Sequence, residues 1–239
     1  MIRREACWSP VWGRWNKRKN REVLSVRGAI FDMDGLLLDT ERLYRESWVE
    51  TAKEFGQTPV PEFPAAVSGS NGEVMRQIVH RYYPVVDAQA FIQNCIDRVD
   101  RILDREGAPE KPGARVLLGF LRARGMKIAV ASSSARERIL ANLRRAGIAA
   151  AFDAVVSGQE VERGKPEPDI FQLVAHRLGF PPEECYVFED SVNGVRAGMA
   201  AGCTTVMIPD QVPPTEGLKV SQVCKDLREV MTLMEAGSL

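Results

Sequence analysis

Asp32 and Asp34 stand one residue apart, directly after the apolar run Ala29-Ile30-Phe31, and Gly35 follows them. Two carboxylates that close repel each other unless a cation or a proton lies between them. The spacing suits a hard divalent cation held by oxygen, with one carboxylate free to act as a nucleophile. Alone, Asp-x-Asp-Gly is also an ordinary turn sequence. The chemical reading therefore depends on what distant parts of the chain supply.

Three further groups complete a set. Ser132 and Ser133 follow the apolar run Lys127-Ile128-Ala129-Val130-Ala131. A hydroxyl and backbone N–H groups just ahead of a helix form a cradle for phosphate. Lys165 lies in Gly164-Lys165-Pro166-Glu167-Pro168-Asp169, where two prolines fix the backbone around a cation that could balance a phosphoryl group and its nucleophile. Glu189-Asp190-Ser191 is a second acidic pair leaving an apolar run. With the first pair it supplies enough oxygen for Mg²⁺, which takes one or two carboxylates plus water and phosphate. Each feature has a plain alternative: a capping serine, a stiff loop with a solvated lysine, a capping cluster. Independent surface turns rarely place nucleophile, cradle, counter-charge and metal ligands each at the end of an apolar run.

The elements that must hold these groups alternate along the chain. Strands are predicted at 26–31, 127–131, 154–156, 185–188 and 204–208, and helices at 114–124, 135–146, 169–178 and 192–201. Asp169 is placed to cap the third of these helices, and Gly125, Gly147, Gly179 and Gly202 stand where the four should stop. Continuous apolar strands separated by helices indicate a parallel sheet covered on both faces, an α/β, Rossmann-like doubly wound core. Ligands bind such sheets at the carboxyl ends of strands, where every one of the chemical groups lies. Between the first and second strands the chain is too long for one crossover. Helices are predicted at 41–55, 72–83 and 88–106, with Pro59, Pro61 and Pro64 in the first gap and Lys111-Pro112-Gly113 at the return. The organisation expected is a core formed by 23–40 and 111–239, an inserted all-helical domain at 41–110, and a basic extension at 1–22.

That extension carries Trp8, Trp12 and Trp15 at helical spacing, with Ser9-Pro10 suited to start a helix. A basic aromatic helix could touch a membrane or a partner; the expectation favoured here is a poorly ordered, dispensable terminus. Formal net charge is zero over 239 residues, so no overall field invites nucleic acid. No apolar stretch approaches a membrane span, and the start lacks the apolar core of a signal peptide. Five scattered cysteines without a Cys-x-x-Cys fit reduced thiols and a cytoplasmic location.

The residues Asp32-Met33-Asp34-Gly35-Leu36-Leu37-Leu38-Asp39-Thr40, Val130-Ala131-Ser132-Ser133, Gly164-Lys165-Pro166-Glu167-Pro168 and Glu189-Asp190-Ser191 resemble the motifs of the haloacid dehalogenase-like hydrolase superfamily. The likeness spans about 26–210 and is strongest to phosphatases and β-phosphoglucomutase-like members with a helical cap inserted after the first motif. It implies that Asp32 attacks phosphorus and becomes an aspartyl phosphate. Asp34 would protonate the leaving oxygen and then activate water. Ser132, Ser133 and Lys165 would hold the transferring phosphoryl group. Asp32, Asp34 through its backbone carbonyl, and Asp190 would bind Mg²⁺, with Glu189 positioned directly or through water. Phosphoryl transfer needs positioning and neutralisation of charge on the equatorial oxygens, which this set provides.

Within the family the mutases grip a second phosphate with cap groups. A cap histidine of the mutase-like enzymes falls by count on Tyr44, and their cap arginine on Gly72, so both positions depart. Arg42, Arg45 and Arg76 could substitute, which leaves a sugar phosphomutase as the alternative. Lys53 has no context matching the Schiff-base lysine of phosphonate-cleaving relatives. The expectation is a Mg²⁺-dependent phosphatase of a small phosphorylated metabolite, such as a sugar phosphate, with Tyr44, Trp48, Asn71 and Arg76 as cap contacts. Neither nucleic acid nor a membrane is expected as a partner; the oligomeric state is open, and a monomer is compatible with the sequence.

Overall fold

Asp and Gly fit a pleated strand poorly, so the first strand ends where they begin. β1 is Gly28–Phe31, and Asp32 is the residue that leaves it. The computed structural model describes residues 26–68, 70, 72–210 and 220–239. The tryptophan-containing start therefore lies outside the described residues, as does Asn71.

β2 (Lys127–Ser132), β3 (Ala154–Ser157), β4 (Cys185–Glu189), β5 (Thr204–Met207) and β6 (Gln222–Val223) join β1 in a six-stranded sheet of order β3-β2-β1-β4-β5-β6. Every pairing is parallel. Phe31 lies in register with Val130 of β2 and Phe188 of β4. The three strand ends are therefore side by side, and chain order reverses between β1 and β4. That reversal opens the crevice in which open α/β sheets bind ligands.

Side chains alternate between the faces, as the two-residue strand period requires. Ala29, Phe31, Ile128, Val130 and Phe188 pack on α5 (Ala114–Ala123), α6 (Arg136–Arg145) and α9 (Leu227–Glu235). Ile30, Ala129, Ala131 and Val187 pack on α7 (Asp169–Leu178) and α8 (Val192–Ala201). The insert contributes α1 (Thr40–Glu54), α2 (Phe63–Val67), α3 (Gly72–Tyr82) and α4 (Ala88–Glu106). It has an apolar centre of its own, built on Trp48, Phe63, Val79, Tyr83 and Phe91. Its two linkers meet: the Asp39 N–H donates to the Pro109 carbonyl at 2.8 Å and the Lys111 N–H to the Leu37 carbonyl at 2.9 Å.

Several local expectations need correction. Asp169 is not a cap: Pro168 holds that position, and Asp169 opens α7 with its carboxylate 2.7 Å from Arg163. Asp39 precedes α1 without a side-chain capping bond and binds Arg42 Nε at 3.1 Å instead. The proline-marked gap contains α2, whose Pro64 sits in the first turn, where a missing N–H costs nothing. β6 and α9 were not anticipated. Among the described residues no helix is long and apolar enough to cross a membrane.

Candidate active site

Asp32 extends β1 by one bond, its N–H donating to the Phe188 carbonyl at 3.0 Å, and its side chain turns into the crevice. Lys165 reaches it there from the loop before α7. The ammonium lies 2.5 Å from Asp32 Oδ1 and 2.6 Å from Glu189 Oε1, and donates to the Ala131 carbonyl at 3.1 Å. One buried cation thus ties together the ends of β1, β2 and β4. The Phe171 ring lies 5.1 Å from the same nitrogen, so α7 supplies an apolar floor.

Glu189 is fully buried, and the backbone of α8 is built around it. Its Oε2 accepts from the Ser191 N–H and hydroxyl, both at 3.0 Å, while the Ser191 hydroxyl also accepts from the Gly194 N–H and caps the helix. A Cβ on Gly194 would overlap the Glu189 carboxylate. Asp190 turns the other way, toward the loop after β1. A Cβ on Gly35, whose φ is +86°, would overlap the Asp190 carboxylate.

Asp32, Glu189 and Asp190 each offer an oxygen within 4.8 Å of the others. Three carboxylates share one ammonium, and the imbalance shows in the proton affinities of Asp32 and Asp190. Burial raises Asp32 most; Lys165 opposes it, Glu189 and Asp34 add to it, and the outcome is about 7. Asp190 is driven well above the carboxylate range by burial and then by the charges of Glu189 and Asp32. Burial pulls Lys165 down, but Asp32 and Glu189 outweigh it and hold the ammonium charged. A hard divalent cation fits this all-oxygen set and would relieve the excess negative charge.

Asp34 stands apart from that set. Its Oδ1 accepts from the Thr40 hydroxyl at 2.7 Å, and its Oδ2 from the Ser134 hydroxyl at 3.0 Å and the Ser132 hydroxyl at 3.4 Å. The carboxylate is thereby aimed by groups from the linker and the β2 turn. Ser132 Oγ also accepts from the Ser134 N–H at 3.1 Å, and the Ser157 hydroxyl fastens the Ser134 carbonyl at 2.6 Å. Ser133 lies in the same turn with its backbone against Gly158, where a Cβ would come within 3.1 Å of the Ser133 Cα.

The structure thus brings Asp32, Asp34, Ser132, Lys165, Glu189 and Asp190 to one crevice. The cap positions divide. Tyr44 is half-buried, and its hydroxyl accepts from Arg138 of the core at 2.6 Å. Arg76 is engaged on its own helix, 2.7 Å from Glu73. Trp48 is a correction: it is buried inside the insert, with ring centroids 5.3 Å from Phe63 and 5.9 Å from Phe91. Sequence reasoning missed Ser134, Thr40 and Glu41. Glu41, in the first turn of α1, accepts from Ser68 at 3.0 Å. Burial raises its carboxyl, as do the charges of Asp34 and Asp210. The available signal was its spacing three residues before Tyr44, which places both on one helix face.

A family model for haloacid dehalogenase-like hydrolases matches residues 26–202, the stretch that carries every group of the crevice. The chain belongs to that family. A phosphorylated carbohydrates phosphatase of Thermotoga maritima is 30% identical over 90% of this chain and 93% of its own length. A fructose-1-phosphate phosphatase of Escherichia coli is 34% identical, over 75% of this chain and 94% of its own. Among solved structures, one from Thermotoga maritima described as a candidate β-phosphoglucomutase superposes with a TM-score of 0.74 at 29% identity. It covers 88% of this chain and 99% of its own. Relatives named as phosphatases make this hydrolase a phosphoric monoester hydrolase.

Proposed function

We propose that the protein is a Mg²⁺-dependent phosphatase of a small phosphorylated metabolite, working through an aspartyl phosphate on Asp32. The observation that carries this reading is the division of labour between two carboxylates. Asp32 is clamped by Lys165 beside the acidic set, whereas Asp34 accepts from the hydroxyls of Thr40, Ser132 and Ser134. In the first step Asp32 Oδ attacks phosphorus, the bond from phosphorus to the ester oxygen breaks, and Asp34 passes its proton to that oxygen. In the second step Asp34 takes a proton from water, the water oxygen attacks phosphorus, and the bond to Asp32 breaks to release inorganic phosphate. Lys165, Ser132 and Ser133 receive the phosphoryl oxygens, so charge is balanced in place rather than by reorganising water.

Asp32, Asp190 and the Asp34 backbone carbonyl would hold Mg²⁺, with Glu189 close by. The ion would neutralise the carboxylates and the phosphoryl oxygens and keep Asp32 anionic. The insert, taken as a cap over 41–110, would exclude bulk water, with Tyr44, Asn71 and Arg76 as its contacts. Glu41 adds a carboxyl on that side, suited to accept from a substrate hydroxyl. The sugar-phosphate names of the relatives support the same substrate class. A second-phosphate grip, which a mutase needs, is disfavoured by Tyr44, Gly72 and the acidic Glu41. Four buried free cysteines among the described residues support a cytoplasmic location.

The test is phosphate release from a panel of sugar, polyol and nucleotide monophosphates with Mg²⁺, beside Asp32→Asn. Selective release that disappears in the variant is expected. Isomerisation of a sugar monophosphate in the presence of a bisphosphate primer, without net phosphate release, would overturn the assignment in favour of a mutase.

A further inference from the structure

A second group of charged residues lies outside the carboxylate crevice, where the insert meets the core. Asp100 and Asp104 occupy successive turns of α4, just before the chain returns to the core. Arg138 and Arg145 face them from α6. Arg138 Nη2 lies 3.2 Å from Asp100 Oδ2, Arg145 Nη1 lies 3.0 Å from Asp100 Oδ1, and Arg145 Nη2 lies 2.6 Å from Asp104 Oδ1. Arg138 also donates to the Tyr44 hydroxyl of α1. Arg145 is steadied by the fully buried Asn142, whose Oδ1 accepts from it at 3.0 Å.

The surroundings give these pairs more than surface weight. The Arg138, Arg145 and Asp100 side chains are 21%, 18% and 33% exposed, so solvent shields them only in part, whereas Asp104 is exposed and its pair carries less. A cleft of about 340 Å³ lies between the helices here, lined by Ala135, Ala141, Glu137 and the ionic groups. Beneath it, Val99 and Leu103 of α4 share one apolar cluster with Ile139 and Leu143 of α6. The junction therefore has an apolar seat and a polar bracket. The bracket is carried by the helix that begins two residues after Ser134, a group that aims Asp34.

We infer that Arg138 and Arg145, paired with Asp100, Asp104 and Tyr44, form a latch that holds the helical insert closed over the carboxylate crevice. Opening for substrate breaks the ion pairs while the apolar seat acts as a pivot. Reclosure returns Tyr44 and the β2 turn to their working positions together. Arg138 is a positioning residue, acting through Tyr44 and α6. The kinetic part of this inference rests on the phosphatase reading; the conformational part does not.

The test uses the full-length chain, with Asp100→Asn, Arg138→Gln, the double variant and Arg138→Lys. Small-angle scattering at low salt is expected to show a larger radius of gyration for the first three than for the wild type. High salt should expand the wild type less than the substitutions do, because it screens the exposed Arg145–Asp104 pair more than the half-buried pairs of Asp100. With p-nitrophenyl phosphate as substrate, KM should rise about fivefold with little change in kcat, since the competent closed state is less populated. The double variant should be no worse than the worse single, as coupled partners behave. Arg138→Lys should recover most of the loss. Wild-type scattering and KM in the variants, or strictly additive effects, would overturn the latch. If one of these variants fails to fold by circular dichroism, Asp104→Asn at the exposed end of the bracket decides: wild-type radius and KM there refute the latch. Absence of p-nitrophenyl phosphate hydrolysis by the wild type would count against the phosphatase reading and leave the scattering result to decide the latch.

Discussion

Replacing Gly194 with alanine sets two physical effects against each other. Gly194 lies in the first turn of α8, where alanine ordinarily stabilises a helix by up to about 1 kcal/mol. Its added methyl, however, would occupy the space of the Glu189 carboxylate. That carboxylate cannot yield freely, because it is fully buried and holds Lys165 at 2.6 Å and Ser191 by two bonds at 3.0 Å. Bonds to a charged group contribute about 1.5–3 kcal/mol each, and breaking one partner out of a buried ion pair costs about 3–5 kcal/mol. Displacement of Glu189 therefore outweighs helix propensity, and Gly194→Ala should lose about 2–4 kcal/mol by that comparison. Gly119→Ala is the control: it sits in α5 with ordinary backbone angles and nothing within 4 Å of the new methyl. It should gain as much as about 1 kcal/mol. Urea denaturation of both variants reads the stabilities, and thermal shift with added Mg²⁺ reads the site. A Gly194→Ala protein as stable as Gly119→Ala, with wild-type Mg²⁺ response, would refute the packing argument.

Two further outcomes follow from the crevice. Asp34→Asn should slow phosphorylation and dephosphorylation of the protein together, by about 10²–10⁴ in single-turnover rates; a loss confined to Mg²⁺ affinity would remove Asp34 from proton transfer. Chelation should silence turnover and lower the thermal midpoint, and Mg²⁺ should restore both, since binding to the folded state alone stabilises it. An active, fully stable chelated protein would show that the acidic set does not need an ion.

The crevice was readable because strand-breaking residues mark strand ends. Asp32 after Phe31 announces where β1 stops and what it presents, and the pair Glu189-Asp190 does the same for β4 to within one residue, since the strand runs on through Glu189. Lys165, confined between Gly164 and Pro166, could be assigned a counter-charge role without knowing its partners. The cap was harder to read. Tyr44 and Trp48 sit four residues apart on α1, and both are aromatic. Only packing tells that one meets Arg138 of the core and the other the aromatic centre of the insert. Ser134 was visible as a serine, but its bond to Asp34 depends on how the β2 turn folds across the crevice. β6 has two residues, too few for a periodic signal, and α2 was hidden by the prolines that normally mark a gap.

The central claim is that Asp32 becomes covalently phosphorylated. The most direct measurement is rapid acid quench of the wild-type protein with a substrate found in the phosphate-release panel, followed by mass spectrometry of the peptide containing Asp32. The account predicts a transient peptide heavier by one phosphoryl group, labile to hydroxylamine as an acyl phosphate is, and lost in Asp32→Asn. Turnover without that species at any quench time, or retained turnover in Asp32→Asn, would contradict it.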